Sequence, residues 1–294
     1  MTRVVSIDGA LRSPADAVVS VYDRGFLYGD AVFEVLRTYD GQPFALDEHL
    51  ARLRRSAERV FIDVPVDDAT LGRDITAALA AAGEGEHYLR VVLTRGSGPL
   101  SLDPSTATHP LRVLLVEPVT PPAKELYARG IAAITVAVRR TADDTVAAGA
   151  KLANYLPNLL AMREARARGA QEALVLDARG HVVEGASSNV FVVRGGRVAT
   201  PPESAGILPG ITRAHLIAAA RSLGIPLEER DLLPADLLAA DEVFVSSSIR
   251  EVLSVVRVDD RPVGAGTPGP VARALHRRFR ESVGMGGDRP MPWE

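Results

Sequence analysis

Of the 34 lysine and arginine residues in this chain of 294, two are lysines, Lys124 and Lys151, and 32 are arginines. Arginine serves as well as lysine for solvated surface charge, but its guanidinium does not give up its proton. A lysine kept against that bias is a candidate for chemistry that needs a primary amine able to become neutral, such as formation of a Schiff base. The two differ in setting. Lys151 lies in the apolar stretch Ala147-Ala148-Gly149-Ala150-Lys151-Leu152-Ala153-Asn154-Tyr155-Leu156, whereas Lys124 sits in a loop, Thr120-Pro121-Pro122-Ala123-Lys124-Glu125. Burial of an amine favours its neutral, nucleophilic form. Taken alone, the same residues are better satisfied by a helix-edge lysine that snorkels to solvent.

Other segments carry groups suited to an anionic, aromatic ligand. Gly206-Ile207-Leu208-Pro209-Gly210-Ile211-Thr212-Arg213 is a turn feeding a helix, whose free N–H groups attract anions and whose Thr212 hydroxyl adds a hydrogen bond. Ser246-Ser247-Ser248 places three hydroxyls at the end of an apolar strand, a second phosphate cradle or a plain polar turn. Arg52 is one of three arginines in His49-Leu50-Ala51-Arg52-Leu53-Arg54-Arg55, and a guanidinium grips phosphate in bidentate fashion. Glu184 ends a strand before Gly185, where a carboxylate facing a pyridine nitrogen keeps that nitrogen protonated. Tyr28, Phe33 and Tyr88 have core positions as their ordinary explanation. Arg90 is harder to dismiss. It stands inside Tyr88-Leu89-Arg90-Val91-Val92-Leu93, where an unpaired charge is costly, so it needs an internal carboxylate or a substrate's.

These groups have to be positioned by a chain of ordinary globular composition, 47% hydrophobic and 24% charged, long enough for two domains. The net charge of −3 gives no field that holds nucleic acid or an anionic membrane surface. Without cysteine there is neither a disulfide nor a thiolate metal site, and no metal is expected. The N-terminus turns polar too soon for a signal peptide, and no apolar run approaches spanning length, so a cytoplasmic protein is expected.

Residues 3–8 and 17–21 read as short strands, and Asp30 to Thr38 as helix or strand. Asp47 is expected to cap an amphipathic helix, Glu48 to Val60, with Leu50, Leu53, Ala57 and Val60 on one face, followed by a helix from Val66 to Ala82. Tyr88 to Thr94 and Leu111 to Val116 are β-branched strands. The cluster Pro118, Pro121 and Pro122 marks a linker. Beyond it come a strand at Ile134 to Val138, a helix from Leu156 to Arg168 stopped by Gly169, and strands at 173–177, 181–184, 189–193 and 197–200. A helix from Thr212 to Leu223, a strand at 242–245 and a helix from Ala272 to Ser282 complete an α+β chain. Its domains read as a small one at 1–119, a linker at 120–126 and a larger strand-rich one at 127–294.

In this order the segments resemble the class IV (fold type IV) pyridoxal-phosphate-dependent aminotransferases, from about Tyr22 to Val263. The most specific stretches are Tyr28-Gly29-Asp30-Ala31-Val32-Phe33-Glu34, Glu48-His49-Leu50-Ala51-Arg52-Leu53, Lys151 through Tyr155, Glu184-Gly185-Ala186-Ser187-Ser188-Asn189-Val190-Phe191 and Leu208-Pro209-Gly210-Ile211-Thr212-Arg213. The resemblance implies pyridoxal 5'-phosphate as cofactor, Lys151 as the Schiff-base lysine and proton carrier, Glu184 at the pyridine nitrogen and Tyr155 at the ring hydroxyl. It implies Arg52, Ile211, Thr212 and Ser248, with Ser247 nearby, as the phosphate site, and Leu208 against the ring. It also implies a small α/β domain, a larger pseudo-barrel domain with the coenzyme at their interface, and a homodimer that builds each site from both chains.

Within the family, branched-chain aminotransferases are similar in Tyr28, Phe33 and the Tyr-x-Arg pair Tyr88/Arg90. Their substrate loop aligns with Gly96-Ser97-Gly98-Pro99-Leu100-Ser101-Leu102, where Leu100 and Leu102 suit an aliphatic side chain. The usual D-amino-acid aminotransferases carry Arg-x-His there; variants without that motif stay open, because Arg90 can bind a carboxylate itself. Aminodeoxychorismate lyases have Asn three positions after the lysine, as Asn154 follows Lys151 here, a departure from the branched-chain spacing. R-selective amine transaminases and a non-catalytic pyridoxal-phosphate-binding protein are the remaining alternatives. The preferred reading is transamination between a branched-chain or other aliphatic L-amino acid and 2-oxoglutarate. Replacing Lys151 by Ala is expected to abolish both turnover and the absorbance band of the bound coenzyme; unchanged turnover would refute the assignment.

Overall fold

The computed structural model describes residues 2–136 and 147–294. They fall into two compact units, Met1–Thr120 with Ala150–Tyr155, and Pro121–Gly149 with Leu156–Glu294. The segment that carries Lys151 therefore belongs with the first unit, although it follows the linker in the chain.

The first unit is built on a six-stranded antiparallel sheet of β1 (Val4–Ile7), β2 (Ala10–Arg12), β3 (Ala31–Tyr39), β4 (Gln42–Pro43), β5 (His87–Thr94) and β6 (Arg112–Pro118) in the order β2-β1-β6-β5-β3-β4. Its helices are the short α1 (Arg24–Tyr28), then α2 (Leu46–Arg59) and α3 (Asp68–Ala82). Successive strand side chains point to opposite faces. Val32 and Leu36 of β3 and Leu89, Val91 and Leu93 of β5 thus share a core with Leu50, Leu53 and Ala57 of α2 and Leu71, Ile75 and Ala78 of α3. The alternate residues Phe33, Val35, Arg37, Tyr88, Arg90 and Val92 stand on the opposite face.

Three local expectations are corrected. Residues 17–21 form no strand, and Val18, Val19 and Val21 are exposed. The partner of β1 is instead β2, across Asp8 and Gly9, whose positive φ angles of 52° and 85° close a two-residue hairpin. Asp47 does not cap α2: Ala45 holds the cap position with φ 51° and no side-chain bond, and Asp47 and Glu48 lie in the first turn, where the helix dipole favours acids. Lys124 is not in a loop but opens the helix α4 (Lys124–Arg129). The segment left open between helix and strand is the strand β3.

The second unit is a curled half-barrel sheet of nine strands. These are β7 (Ile131–Val136), β8 (Glu172–Leu176), β9 (Val182–Gly185), β10 (Asn189–Arg194), β11 (Arg197–Thr200), β12 (Leu227–Glu229), β13 (Glu242–Ser247), β14 (Glu251–Val258) and β15 (Arg261–Pro262). They run in the order β12-β11-β10-β13-β14-β7-β8-β9, with β15 on β14. Residues 137–138 of the strand expected at Ile134 to Val138 lie outside the described residues. Pairing is parallel for β11 with β12, β14 with β7 and β7 with β8, and antiparallel elsewhere.

Both faces of the central strands are covered, which is why they read as unbroken apolar runs. Leu174 of β8 joins a core with Val190, Val192, Val243, Val245, Leu253 and Val255. Its neighbours Ala173 and Val175 face the other way, onto Ala161 and Ala165 of α5 (Leu156–Ala167). The remaining helices are α6 (Ile211–Ser222), α7 (Pro234–Leu238) and α8 (Pro270–Ser282). Glu242 holds the start of α8, accepting from Val271 N at 2.9 Å and Ala272 N at 2.8 Å.

No helix among the described residues is long and apolar enough to cross a membrane. Across β10 and β13, the fully buried rings of Phe191 and Phe244 stack with centroids 4.8 Å apart and planes 8° from parallel. Phe244→Ala empties one side of this stack and is expected to cost about 3–5 kcal/mol in urea unfolding. A loss below about 1 kcal/mol would show that the stack is not a packed core element.

Candidate active site

In the first unit, Lys151 is fixed through its backbone. Its carbonyl accepts from Phe33 N at 3.0 Å, its N–H donates to Ser56 Oγ at 3.1 Å, and Ala153 N donates to Ala31 O at 2.9 Å. Leu152, bridged to Val32, packs against the helix-side core. The side chain is thereby directed onto aromatic surface. Lys151 Nζ lies 4.6 Å from the centroid of the Phe33 ring and 5.9 Å from that of Tyr155, and the two rings meet edge to face at 5.2 Å. The Arg90 guanidinium lies over the same Phe33 ring at 3.9 Å. Lys151, Tyr155, Phe33 and Arg90 are thus brought together, with Tyr88 two residues before Arg90 on the same strand face. No ion pair holds Arg90 among the described residues.

Arg52 faces α2's side of the sheet and is buried. Its Nε and Nη2 donate to Glu34 Oε1 and Oε2, both at 2.7 Å, and His49 Nδ1 meets Oε2 at 2.7 Å. Burial pushes the Glu34 carboxyl up, but the hydrogen bonds and charge of Arg52, with those of His49, outweigh it and hold the group down at about 2. Burial lowers His49 below its ordinary value against the pull of Glu34, which leaves it neutral at pH 7. Since an ionised carboxylate only accepts, His49 donates through Nδ1. The Arg52 guanidinium is therefore held in a fixed plane by a carboxylate of its own.

Tyr28, Leu100 and Leu102 are placed differently. Tyr28 ends α1 half in solvent, with the Arg24 guanidinium 5.0 Å from its ring. Leu100 and Leu102 are 72% and 82% exposed. Arg24 Nη1 ties down the loop between them by donating to Ser101 O at 2.7 Å. At the loop's start Gly96 has φ 100°, and a Cβ there would collide with Thr108 O.

The second unit holds the remaining candidates. Glu184, expected to be a strand-end carboxylate, is buried, and its Oε2 accepts from Leu208 N at 3.0 Å. Leu208 O in turn accepts from Asn189 Nδ2 at 3.0 Å. Gly210, the N-cap of α6, lies where a Cβ would collide with Asn189 Oδ1, so glycine is required there. Ile211 and Thr212 begin α6, which has no side-chain cap. Thr212 Oγ1 and Ser246 Oγ are buried without a hydrogen-bond partner. A buried hydroxyl left so is costly. An orphan hydroxyl beside uncapped helix N–H groups fits a doubly charged phosphate, so the residues present suit a coenzyme that carries one.

Ser247 ends β13, with its hydroxyl 3.4 Å from Arg250 N, and Ser248 lies in the following turn. The turn closes at Glu251, a buried residue with φ 56°. Its carboxylate is gripped by His276 Nε2 at 2.6 Å and by Arg280 Nη1 at 3.2 and 3.1 Å.

The family model for amino-transferase class IV matches residues 31–258. The chain belongs to the class IV aminotransferases. These enzymes use pyridoxal phosphate. Similar relatives include a putative branched-chain-amino-acid aminotransferase of Methanocaldococcus jannaschii, 38% identical over 94% of this chain and 95% of the relative. A D-alanine aminotransferase of Bacillus licheniformis is 33% identical over 95% of this chain and 96% of the relative. Among solved structures, the branched-chain amino acid aminotransferase of Escherichia coli superposes with a TM-score of 0.92 at 32% identity, covering 98% of this chain and 97% of that one.

For this class IV aminotransferase, sequence reasoning missed the carboxylates that brace the site, Glu34 and Glu251, and their histidines, His49 and His276. A usable signal was present for Glu34: it interrupts the apolar run Ala31-Val32-Phe33-Glu34-Val35-Leu36, as Arg90 does its own. On acidification the unfolded chain takes up protons first, at 6.5 for His49 and 4.5 for Glu34, so stability present above those values is lost below them. Glu34→Gln is expected to cost about 3–5 kcal/mol at neutral pH by stranding Arg52, and to flatten the loss between pH 4.5 and 2. Chemical unfolding followed across that range checks both; an acid dependence unchanged from wild type would contradict the pairing.

Proposed function

We propose that this enzyme moves the amino group of a branched-chain or other aliphatic L-amino acid to 2-oxoglutarate, acting as a cytoplasmic homodimer. The observation that carries the reading is the cluster of Lys151, Phe33, Tyr155 and Arg90, in which a half-buried guanidinium has no carboxylate partner among the described residues. A substrate carboxylate answers that need. The apolar pair Leu100 and Leu102 supports an aliphatic side chain in place of a second anionic group.

When bound, pyridoxal phosphate supplies an electrophilic aldehyde carbon and an electron-withdrawing ring on which the amino group is exchanged. Lys151 Nζ would provide the amine for that carbon and would carry the proton taken from the donor's α-carbon across to it. Glu184 would keep a proton on the ring nitrogen, and Leu208, whose N–H donates to Glu184, would pack against the ring. Tyr155 would donate toward the ring hydroxyl. Arg52, the N–H groups at Ile211 and Thr212, the Thr212 hydroxyl and the hydroxyls of Ser247 and Ser248 would hold the phosphate. Tyr28, Phe33, Tyr88 and Arg90 line the substrate's side, with Leu100 and Leu102. The exposed apolar side chains Val18, Val21, Tyr22 and Phe26 in the first unit support burial against a second copy.

A second reading, transamination of D-amino acids, is favoured by the likeness to D-alanine aminotransferase and by the Arg90 guanidinium. A panel of both enantiomers of leucine, valine and alanine, with 1-phenylethylamine and 2-oxoglutarate, separates the two. L-Leucine and L-valine are expected to turn over at least about tenfold faster than any D-amino acid or amine, the scale of one well-placed side-chain contact. Preference for D-alanine, or release of 4-aminobenzoate and pyruvate from aminodeoxychorismate, would overturn the proposal.

A further inference from the structure

Glu172 opens β8 with its carboxylate fully buried, and nothing in the catalytic scheme uses it. Four donors converge on it. Oε1 accepts from Ala173 N at 2.9 Å and Ala186 N at 3.2 Å; Oε2 accepts from Ser188 Oγ at 2.9 Å and from Arg250 Nη1. Ala186 and Ser188 belong to the turn that follows Glu184. Arg250 belongs to the turn that follows Ser247 and Ser248. One carboxylate therefore fastens together the turn that follows Glu184 and the turn that follows Ser247.

The surroundings are built for this contact. A Cβ on Gly185 would collide with Ser188 Oγ and lie 3.1 Å from Glu172 Cδ, so only glycine lets the first turn close on the carboxylate. In the second turn, Arg250 O accepts from the Tyr127 hydroxyl at 3.0 Å, and Glu251 beside it is clamped by His276 and Arg280. Arg250 is thus fixed at its backbone as well as at its tip.

We propose that Glu172 is a positioning residue that sets the spacing between Glu184 and the Ser247–Ser248 turn. It thereby lets one coenzyme engage the acid at its ring nitrogen and the hydroxyls at its phosphate together. The inference rests on the assignment of Glu184 and the serine turn to a single pyridoxal phosphate. Two ends of a ligand bind cooperatively only when their partners are held at the ligand's own length. Four donors face its two oxygens; an amide would turn one acceptor into a donor aimed at Arg250 on one side or at the Ala173 and Ala186 N–H groups on the other.

The test uses the apoprotein, with binding of pyridoxal phosphate and of pyridoxal, which lacks the phosphate, followed by absorbance. The ratio of the two affinities measures what the phosphate adds once the ring is bound. In Glu172→Gln this ratio is expected to fall by at least about tenfold, the loss of roughly one charge-assisted hydrogen bond. Arg250→Lys, which keeps the charge but not the reach, is expected to fall in the same direction, and it decides the question should Glu172→Gln fail to fold. A role confined to folding lowers the melting temperature and leaves the ratio alone. A ratio within about twofold of wild type in folded variants overturns the proposal. Failure of the wild-type apoprotein to bind pyridoxal phosphate overturns the coenzyme assignment itself, and this inference with it.

Discussion

A carboxylate taken out of water must be met by donors on every side, or it costs several kcal/mol to keep ionised. Three buried glutamates obey this constraint, and the candidate groups are arranged around them. Glu34 holds the plane of Arg52, Glu172 gathers two turns, and Glu251 is caught between His276 and Arg280. In each case the glutamate lies within or beside an apolar strand, so it is rigid before any ligand arrives. The side chains assigned to ligand binding can then remain on turns and helix starts, where N–H groups and hydroxyls are available to an anion.

The same logic accounts for local strain. Glu251 is held at φ 56°, a conformation that costs a non-glycine residue of order 1–3 kcal/mol and persists only when its surroundings over-determine it. Two cationic or neutral donors on α8 do that here. The helix is itself anchored through Glu242, which accepts from its first free N–H groups. The strained residue, the helix that restrains it and the carboxylate that fixes the helix form one chain of dependence leading to the serine turn.

What is legible in the sequence follows from which interactions are local. The strands β5, β8, β10 and β13 and the helices α3, α5, α6 and α8 declare themselves by period and β-branching, and their boundaries shift by only a few residues. The start of α2 is hidden because Asp47 has the right type for a cap, while the position is taken by Ala45 in a left-handed conformation that no propensity rule assigns to alanine. Residues 17–21 mislead because valines that pair with nothing look like valines in a strand. In the site, Lys151 stands out through composition, and the family motifs point to Glu184, Arg52 and Thr212. Glu34 is marked by interrupting an apolar run, but what the bracing carboxylates pair with is not legible, because the partners lie far off in the chain: Glu34 meets Arg52, Glu172 meets Arg250 and Glu251 meets Arg280.

The short stretch Ala150–Tyr155, which completes the first unit's β-bridge at Val32, is separated from the rest of that unit by Pro121–Gly149. During synthesis the leading sheet and its helices leave the ribosome without this piece. At roughly 5–20 residues per second, the wait for it lasts seconds. Until then Phe33 N lacks the carbonyl it will bond, and the nascent domain exposes an unpaired strand edge. Lys151 is thus installed by the same late event that seals the edge, and a chain stalled before it leaves that edge open to self-association.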